Sequence, residues 1–314
     1  MILENVNAIP IHQISEKLNN NNFYIKRDDL IPISFGGNKA RKAVLFFKDI
    51  KTKGANCVVT YGSSSSNHCR IIANIAASKG LPCFIISPKE NSESTLNSKM
   101  VEFFGAKVIK CFVSEVSETI DKVIEDLKSE GYKPYFIQGG GHGNIGTQAY
   151  VDAYQEIVQF EKETGIYFDY IFHTSGTGTT QAGLVCGQLI NGDKRQIIGI
   201  SNARKNPYGG QVVLQSVNDY LKSIGREEKA ADFINFIDDY VLDGYGSYNN
   251  EIMLTIKEVL IRDSIPLDKT YTGKGYWGMK EYIKKNRIKG KNILFIHTGG
   301  TPLFFDDLEE LAHE

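Results

Sequence analysis

The 314-residue sequence contains little cysteine, no long apolar run and no excess of charge of one sign. Its five cysteines form no CxxC pair, so we expect neither a metal site nor disulfides, and we expect a reducing, cytoplasmic setting. No apolar run reaches membrane-spanning length, and residues 1–5 lack the features of a secretion signal. The formal net charge of −1 comes without a basic block, which argues against a nucleic-acid partner.

Short apolar strands alternate with helical patterns along most of the chain. We predict strands at 57–61, 83–86, 107–110, 134–137, 170–173, 196–200 and 292–297, and helices at 67–79, 94–104, 115–130, 145–160, 180–189, 211–223 and 251–263. Such alternation predicts parallel pairing with right-handed crossovers. A glycine-rich stretch at 139–143 interrupts the pattern. We therefore predict an α/β fold of two open parallel-sheet domains, a small one at 44–150 and a large one from 1–43 and 151–314.

Lys39 follows two glycines in the segment Gly36-Gly37-Asn38-Lys39. The glycines allow a tight turn, so the lysine would project from a fixed point at the start of an amphipathic segment. A lysine held in this way could form an imine with an aldehyde cofactor. Most lysines are simply solvated, and this segment alone is compatible with both interpretations.

A hydroxyl-rich loop lies between a predicted strand and a predicted helix. It consists of Ser175, Gly176, Thr177, Gly178, Thr179 and Thr180. Backbone amides at a helix N-terminus, with hydroxyls beside them, favour a bound anion. The glycine spacing matches neither GxGxxG nor GxxxxGK[ST], so the loop fits a lone phosphate better than a nucleotide. A tight turn without a ligand is the alternative.

A second polar loop precedes the predicted helix at 67–79. The candidates here are Ser65, Ser66, Asn67 and His68. Ser66 or Asn67 would cap the helix, but capping explains only one of several consecutive polar residues. Free amides and hydroxyls at a helix N-terminus suit a substrate carboxylate. A lone histidine such as His68 is more often structural than catalytic.

Two further glycine-rich turns carry tyrosine or threonine. Tyr245 and Tyr271 lie beside glycines, so a ring could approach a flat ligand or move a proton. Thr298 follows the last predicted strand, and ligands of open α/β sheets bind beyond the carboxyl ends of strands. As alternatives, the tyrosines could be ordinary core residues on loops, and Gly299-Gly300 could simply be a turn into the final helix.

Together these segments resemble the fold-type II pyridoxal-phosphate enzymes, and more narrowly the D-cysteine desulfhydrase and 1-aminocyclopropane-1-carboxylate deaminase family. The matching motifs are GGNKxRK at 36–42, SNHxR at 66–70, SGTGTTQAGL at 175–184, YTGK at 271–274 and HTGG at 297–300. The resemblance covers nearly the whole chain, with the motifs in family order. It implies a tryptophan synthase beta-like fold with pyridoxal 5'-phosphate in the cleft between two α/β domains, usually in a homodimer.

The resemblance also implies roles for the candidate residues. Lys39 would be the Schiff-base lysine and the proton carrier at the substrate alpha carbon. The loop from Ser175 to Thr180 would hold the cofactor phosphate, and Thr298 would lie beside the pyridine nitrogen. The residues implied to act near the substrate carboxylate, the cofactor ring or the reacting atoms are Ser66, Asn67, Tyr245 and Tyr271.

The sequence departs from the family pattern at three places. Ser65 stands where the family often has Gln, and Thr272 stands where the deaminases carry Glu. The segment 138–144 also differs. Threonine hydroxyls at 272 and 298 would leave the pyridine largely neutral and the electron sink shallow. Such a sink suits loss of a good beta leaving group better than opening of a cyclopropane ring.

We therefore expect a lyase that catalyses alpha,beta-elimination on a small amino acid and gives pyruvate, ammonia and a thiol or sulfide. A beta-replacement enzyme on the same scaffold stays open, because it differs only in whether a second nucleophile enters the site. Deamination or racemisation at the same lysine is a further alternative. A phosphate-binding module without catalysis would explain only the loop that begins at Ser175. The preferred amino acid and its enantiomer are not predicted.

Overall fold

The computed structural model of the protein describes residues 9–90, 94–227 and 231–313. Residues 1–5, in which we expect no secretion signal, lie outside this part. The strands are β1 (Ile11–Gln13), β2 (Asn22–Lys26), β3 (Cys57–Tyr61), β4 (Cys83–Pro88), β5 (Lys107–Cys111), β6 (Pro134–Ile137), β7 (Tyr170–Ser175), β8 (Gln196–Ser201), β9 (Asn235–Ile237) and β10 (Asn292–Ile296). The helices are α1 (Asn38–Lys53), α2 (Asn67–Ser78), α3 (Leu96–Phe103), α4 (Val116–Ser129), α5 (Asn144–Thr164), α6 (Thr179–Asn191), α7 (Tyr208–Ser223), α8 (Asn250–Asp263), α9 (Thr272–Lys285), α10 (Thr301–Asp306) and α11 (Leu308–His313).

The strands form two sheets. The larger has the order β1-β2-β10-β7-β8-β9, and the smaller has the order β5-β4-β3-β6. Every neighbouring pair is parallel except β1 with β2, which is antiparallel at the edge of the larger sheet. The predicted α/β class with two open, mainly parallel sheets is confirmed. The antiparallel edge was not predicted, because a three-residue strand leaves too short a pattern in the sequence.

The inner strands of both sheets are buried on their two faces, which explains why they are largely apolar, whereas the edge strand β5 is mostly exposed. In β7, Ile171 and Phe172 point to opposite faces and join two different hydrophobic clusters. In β3, Val58 and Val59 do the same in the smaller sheet. Helices on both faces of a parallel sheet require this continuous apolar pattern.

Helices α5 and α6 pack very closely, and glycine makes this possible. A Cβ atom at Gly183 would lie 2.4 Å from the Thr147 carbonyl oxygen and 2.4 Å from the Tyr150 Cβ. A Cβ at Gly187 would meet the Tyr154 side chain at 2.5 Å. The close contact fixes the start of α6 against α5, and so fixes the loop that precedes α6.

The two predicted domains correspond to different sheets, but their limits stay a prediction. Strands β3 to β6 lie within the predicted small domain of 44–150, and the strands of the larger sheet come from both flanks. Helix α1 begins before residue 44 and packs on the smaller sheet, with Ala43 and Phe46 in its core. Helix α5 begins before residue 150 and packs with the larger sheet. No helix in the described part of the chain is long and apolar enough to cross a membrane.

Candidate active site

A cavity of about 690 Å³ lies beyond the carboxyl ends of the strands of both sheets. It is lined by Asn38, Lys39, Tyr61, Gly62, Ser63, Ser66, Asn67, His68, Gln138, Gly139, Gly140, His142, Thr174, Gly176, Thr177, Asn202, Ala203, Arg204, Tyr208, Val212, Gln215, Tyr245, Tyr271, Thr298 and Gly299. Open α/β sheets bind their ligands at this edge. No Asp or Glu occurs among these described lining residues, whereas Lys39 and Arg204 do, so the cavity suits an anionic ligand.

Lys39 enters the cavity from the first turn of α1. Gly37, directly before the helix, has φ 95°, and a Cβ there would lie 2.5 Å from the Thr298 carbonyl oxygen. Glycine is therefore required where the chain passes the end of β10. The Lys39 ammonium donates to the Gly140 carbonyl oxygen at 3.0 Å. Burial lowers the pKa of Lys39 to about 8, so roughly a tenth of it is the neutral, nucleophilic amine at pH 7.

A buried ion network fixes the helix that carries Lys39. Arg41 on α1 donates to Asp28 at 2.9 Å and to Glu156 at 2.5 Å. Lys26 pairs with the same two carboxylates, and the Tyr150 hydroxyl donates to Asp28 at 2.6 Å. Burial would raise the pKa of Asp28, but Arg41 and Lys26 outweigh it and lower that pKa to about 2. Helix α1 is thus tied to β2 and α5, and Lys39 has a fixed origin.

The start of α6 forms an anion cradle beside Lys39. Gly178 precedes the helix with φ 94°, and no described side chain caps its first turn. The backbone amides of that turn are therefore available to a ligand. The loop 138–143 closes over it, and His142 Nδ1 lies 2.8 Å from Thr179 Oγ1.

A buried lysine amine without a hydrogen-bond partner in the described chain lies under the same loop. Lys42 is 1% exposed, and its Nζ has no hydrogen-bond partner among the described residues. A Cβ at Gly141 would lie 3.3 Å from the Lys42 Cδ. Burial, and then the charge of Lys39, lower the pKa of Lys42 well below its usual value. A buried cation without a counter-charge is costly, so Lys42 is a neutral amine without a ligand and would gain a proton beside a phosphate group at the α6 amides.

The polar loop that ends at Ser66 caps α2. It places the side chains of Ser66 and Asn67 at the cavity. Ser66 Oγ accepts from the Cys69 backbone amide at 3.3 Å, which leaves the hydroxyl proton free for a ligand. Asn67 Oδ1 accepts from Arg70 Nη1 at 2.5 Å and from Asn97 Nδ2 at 3.0 Å. With its oxygen occupied twice, Asn67 presents its NH₂ group as the free donor. Both residues therefore offer donors, which suit a carboxylate or a phenolic oxygen.

His68 lines the cavity, and one of its ring nitrogens is already hydrogen-bonded within the protein. Thr60 Oγ1 donates to the Ile137 carbonyl oxygen at 2.7 Å, so it must accept from His68 Nε2 at 2.8 Å. This assigns the proton to Nε2 and leaves Nδ1 as an acceptor. Burial, followed by Lys39 and Lys42, lowers the pKa of His68 well below its usual value. His68 is therefore a neutral ring and cannot serve as a general acid near neutral pH.

Two tyrosines form a hydroxyl pair at the other side of the cavity. Tyr245 and Tyr271 have hydroxyl oxygens 2.5 Å apart, and Ser65 Oγ lies 3.2 Å from the Tyr245 hydroxyl. Burial and then Tyr245 raise the pKa of Tyr271 well above its usual value, so it is a neutral phenol. Asp268 accepts the Tyr271 backbone amide at 2.8 Å and holds this residue at the start of α9.

The structure brings most of the predicted residues to one cavity, but several lie behind its wall. Those at the wall itself are Lys39, Ser66, Asn67, His68, Gly176, Thr177, Tyr245, Tyr271 and Thr298. Ser175 donates to Gln181 at 3.0 Å and is buried. Thr180 accepts from Asn38, and Thr179 contacts His142. Ser65 contacts the hydroxyls of Ser63 and Tyr245 and does not line the cavity. Gly178 supplies the turn before α6.

Thr272 also lies away from the cavity. It is fully buried, and its hydroxyl donates to Asp268 Oδ1 at 2.7 Å. Burial raises the pKa of Asp268 to about 6, against the hydrogen bonds that it accepts from Thr272 and Tyr271. An electronic effect of a threonine on a bound pyridine therefore rests on Thr298, which lines the cavity, and not on Thr272.

The sequence analysis missed Lys42, Asn202 and Arg204. Arg204 Nη1 donates to the Thr177 carbonyl oxygen at 3.0 Å and so supports the anion loop. Asn202 lines the cavity, and its Oδ1 has no partner among the described residues. Both residues follow β8. They could have been predicted, because ligands of open α/β sheets bind beyond the carboxyl ends of strands. Lys42 carries no such signal, because a helical lysine is usually solvated.

Comparison with known proteins agrees with this geometry. A family model described as pyridoxal-phosphate dependent enzyme matches residues 3–299. A D-cysteine desulfhydrase of Klebsiella pneumoniae is 33% identical over 290 residues, which cover 90% of this chain and 88% of that protein. A D-cysteine desulfhydrase of Yersinia enterocolitica is 30% identical over 311 residues, with coverage of 95% and 93%.

A solved structure gives the same result for the fold. The structure described as an ACC deaminase homologue superposes with a TM-score of 0.89 and 30% identity, covering 97% of this chain and 93% of that one. The predicted family resemblance, cofactor and enzyme class are thereby confirmed. The chain belongs to the pyridoxal-phosphate dependent enzyme family, and its fold is that of the fold-type II members.

Proposed function

We propose that the protein catalyses alpha,beta-elimination on a small amino acid, as a D-cysteine desulfhydrase does. Cysteine would lose its alpha proton and its beta sulfur, and water would supply the keto oxygen, giving pyruvate, ammonia and sulfide. The observation that carries the proposal is the cavity. It joins a lysine with a pKa of about 8 to an anion cradle, and its described lining contains no acid.

Pyridoxal phosphate would be held at both of its ends. Lys39 would attach the cofactor covalently, because its amine is partly neutral near pH 7 and faces the cavity. The first-turn amides of α6 and the Lys42 ammonium would bind the phosphate. When bound, the cofactor supplies a sink for the electrons left at the alpha carbon.

The remaining residues would bind the substrate and handle its protons. Ser66 Oγ–H and the Asn67 NH₂ group are directed donors at the N-terminus of α2, and would bind the substrate carboxylate. Lys39 Nζ would accept the alpha proton. The Tyr245–Tyr271 pair would move a proton at its hydroxyl oxygens, because two phenols 2.5 Å apart share a strong hydrogen bond.

The absence of an acidic side chain from the described lining favours elimination over ring opening. A carboxylate at the pyridine nitrogen would keep that nitrogen protonated and the electron sink deep. Thr298, the residue implied to lie beside that nitrogen, offers only a hydroxyl. A shallower sink suffices when a thiolate leaves the beta carbon. The names of the relatives in Klebsiella and Yersinia support the same reaction.

A substrate screen tests this proposal. We expect D- or L-cysteine, 3-chloroalanine or O-acetylserine to yield pyruvate with the purified enzyme, and Lys39→Ala to yield none. Beta-replacement would instead give less pyruvate and a new thioether when a thiol is added. Ammonia released only from 1-aminocyclopropane-1-carboxylate would indicate a deaminase. Loss of optical activity without pyruvate would indicate a racemase, and either result would overturn the proposal.

The assembly and the compartment are proposed on narrower grounds. All five cysteines are free and buried, which supports a reducing cytoplasm. The family resemblance supports a homodimer, and light scattering of the purified enzyme would test it. The roles given to His68 and Ser65 in substrate binding, and the domain limits at 44 and 150, are likewise proposals. Replacement of Ser65 by Ala should raise KM more than it lowers kcat.

A further inference from the structure

Lys274 on α9 occupies a cage of oxygen atoms. Its ammonium donates to the carbonyl oxygens of Gly244 at 3.0 Å and Val241 at 3.1 Å. Ser247 Oγ lies at 3.4 Å and the Asn202 carbonyl oxygen at 3.5 Å. The residue is fully buried, and no carboxylate of the described chain forms an ion pair with it.

This arrangement is that of a monovalent cation site. Converging backbone carbonyls replace the hydration shell of such ions in proteins. Here three carbonyls and a hydroxyl converge on an ammonium that the chain itself supplies. A lysine with a purely structural role would more often pair with a carboxylate or extend to solvent.

The cage is built around the loop that carries Tyr245. Three of its oxygens come from residues 241–247. Leu242, Gly244 and Gly246 there have φ of 61°, 132° and 80°, in the left-handed region. The loop contains neither a helix nor a strand. Ser247 Oγ bonds to the backbone of Gly244 and Val241 within it, and Lys274 ties it to α9. Tyr245 lies between two of the ligating residues.

We infer that Lys274 is a tethered cation that positions Tyr245. The ammonium draws the loop onto α9, whose first turn begins directly after Tyr271, and so sets the 2.5 Å contact between the two hydroxyls. Through the Asn202 carbonyl it also orders the segment after β8. Lys274 does not line the cavity, so it acts through these residues. The inference concerns the folded loop and does not depend on which reaction the enzyme catalyses.

The test is rescue of Lys274→Met by free cations. Chymotrypsin cleaves after Leu242 and Tyr245, so the rate at which fragments cut at these two residues appear in mass spectra reports the order of the loop without any substrate. We expect Lys274→Met to be cleaved about tenfold faster than wild type, because opening of the loop limits cleavage. Ammonium or potassium should restore protection, and tetramethylammonium at the same ionic strength should not. Lys284→Met, which removes an exposed lysine from the same helix, should resemble wild type in every salt.

Two outcomes would overturn the inference. The first is equal cleavage of Lys274→Met in all three salts, and the second is the same salt response in wild type or Lys284→Met as in Lys274→Met. If Lys274→Met does not fold, Lys274→Gln keeps a polar side chain in the cage and removes the cation. It should then raise cleavage severalfold, and unchanged cleavage would contradict the cage.

Kinetics separate positioning of Tyr245 from general support of the fold. In a double-mutant cycle, Lys274→Met and Tyr245→Phe should be strongly non-additive in kcat, because the first acts through the second. Ammonium should restore kcat in Lys274→Met but not in the double variant. Additive losses would show that Lys274 does not act through Tyr245.

Discussion

At the scale of the residue, three buried lysines of lowered pKa have three different environments. Lys39 faces the cavity, Lys42 has no partner among the described residues, and Lys274 is surrounded by carbonyl oxygens. The sequence singled out Lys39 because glycines precede it. It could not single out Lys42, since burial of a helical lysine depends on the distant loop 138–143. Asn67 was predicted, but the free NH₂ group depends on Arg70 and Asn97.

The first prediction concerns the pH dependence of cofactor uptake. Because burial lowers the pKa of Lys39 to about 8, its neutral form predominates above pH 8. The rate at which the cofactor-free protein takes up pyridoxal phosphate should rise with pH, be half-maximal near pH 8 and level off above about pH 9. Stopped-flow absorbance would measure it. A rate that still rises tenfold per unit at pH 10 would mean that Lys39 has an ordinary pKa.

The second prediction concerns Lys42→Met. Removing a buried amine without a hydrogen-bond partner should stabilise the cofactor-free protein, while loss of a phosphate ligand should weaken cofactor binding about tenfold or more. Thermal unfolding and equilibrium titration would measure the two effects. The exposed Lys48→Met on the same helix is the control and should change neither. A Lys42→Met protein that binds the cofactor normally would remove Lys42 from the phosphate site.

At the scale of the element, the strands of the smaller sheet and helices α2, α3 and α4 were predicted nearly to their ends, whereas α1 was expected only as an amphipathic segment. Helix α9 was missed because glycines at 273, 275 and 278 lower helix propensity. Packing requires them, since a Cβ at Gly275 would lie 2.1 Å from Thr174 Oγ1. Strands β1, β2 and β9 were also missed. Short strands gain their order from neighbours that are distant in sequence.

The third prediction concerns the contact between α5 and α6. Gly183→Ala should destabilise the protein by roughly 1–3 kcal/mol or more, because the new methyl group would overlap the backbone of α5. Chemical denaturation would measure it. Gly210→Ala in α7 is the matched control, since its Cβ would meet no backbone atom and its nearest neighbours would be Asn206 Oδ1 at 3.0 Å and Phe236 Cβ at 3.9 Å. A small effect of Gly183→Ala on stability would show that α6 can move relative to α5. The anion cradle at the start of α6 would then move with it.

The fourth prediction concerns the ion network that fixes α1. Asp28→Asn leaves Lys26 and Arg41 with less counter-charge. It should lower the free energy of unfolding by roughly 3 kcal/mol. The pKa of Asp28 in the folded protein is about 2, below its usual value of 3.8. The stabilisation from Asp28 is therefore complete above about pH 4 and is lost as the pH falls toward 2. Denaturation from pH 2 to pH 7 should show the gap between wild type and variant closing in that window.

A surface pair provides the control for the fourth prediction. Asp239 pairs with the exposed Lys285, and Asp239→Asn should change stability by less than about 0.5 kcal/mol at any pH. A gap between wild type and Asp28→Asn that stays constant down to pH 2 would show that Asp28 is not the titrating group.

At the scale of the whole molecule, the fold class could be predicted because alternating strands and helices allow few topologies. The strand order could not be predicted, because the sheet pairs β2 with β10, and these strands lie near opposite ends of the chain. That pairing brings the Lys39 turn against Thr298 and assembles one site from both sheets. The two halves also meet where Asp306 on α10 accepts the Leu96 amide of α3 at 3.0 Å, a contact without a sequence signal.

The central claim is that the cavity holds pyridoxal phosphate on Lys39. The most direct measurement is borohydride reduction of the protein after incubation with pyridoxal phosphate, followed by peptide mass spectrometry. In principle the three lysines of lowered pKa, Lys39, Lys42 and Lys274, compete for the label. We predict that the phosphopyridoxyl group is found on Lys39 alone. Label on Lys42 or Lys274, or no stable label, would contradict the account.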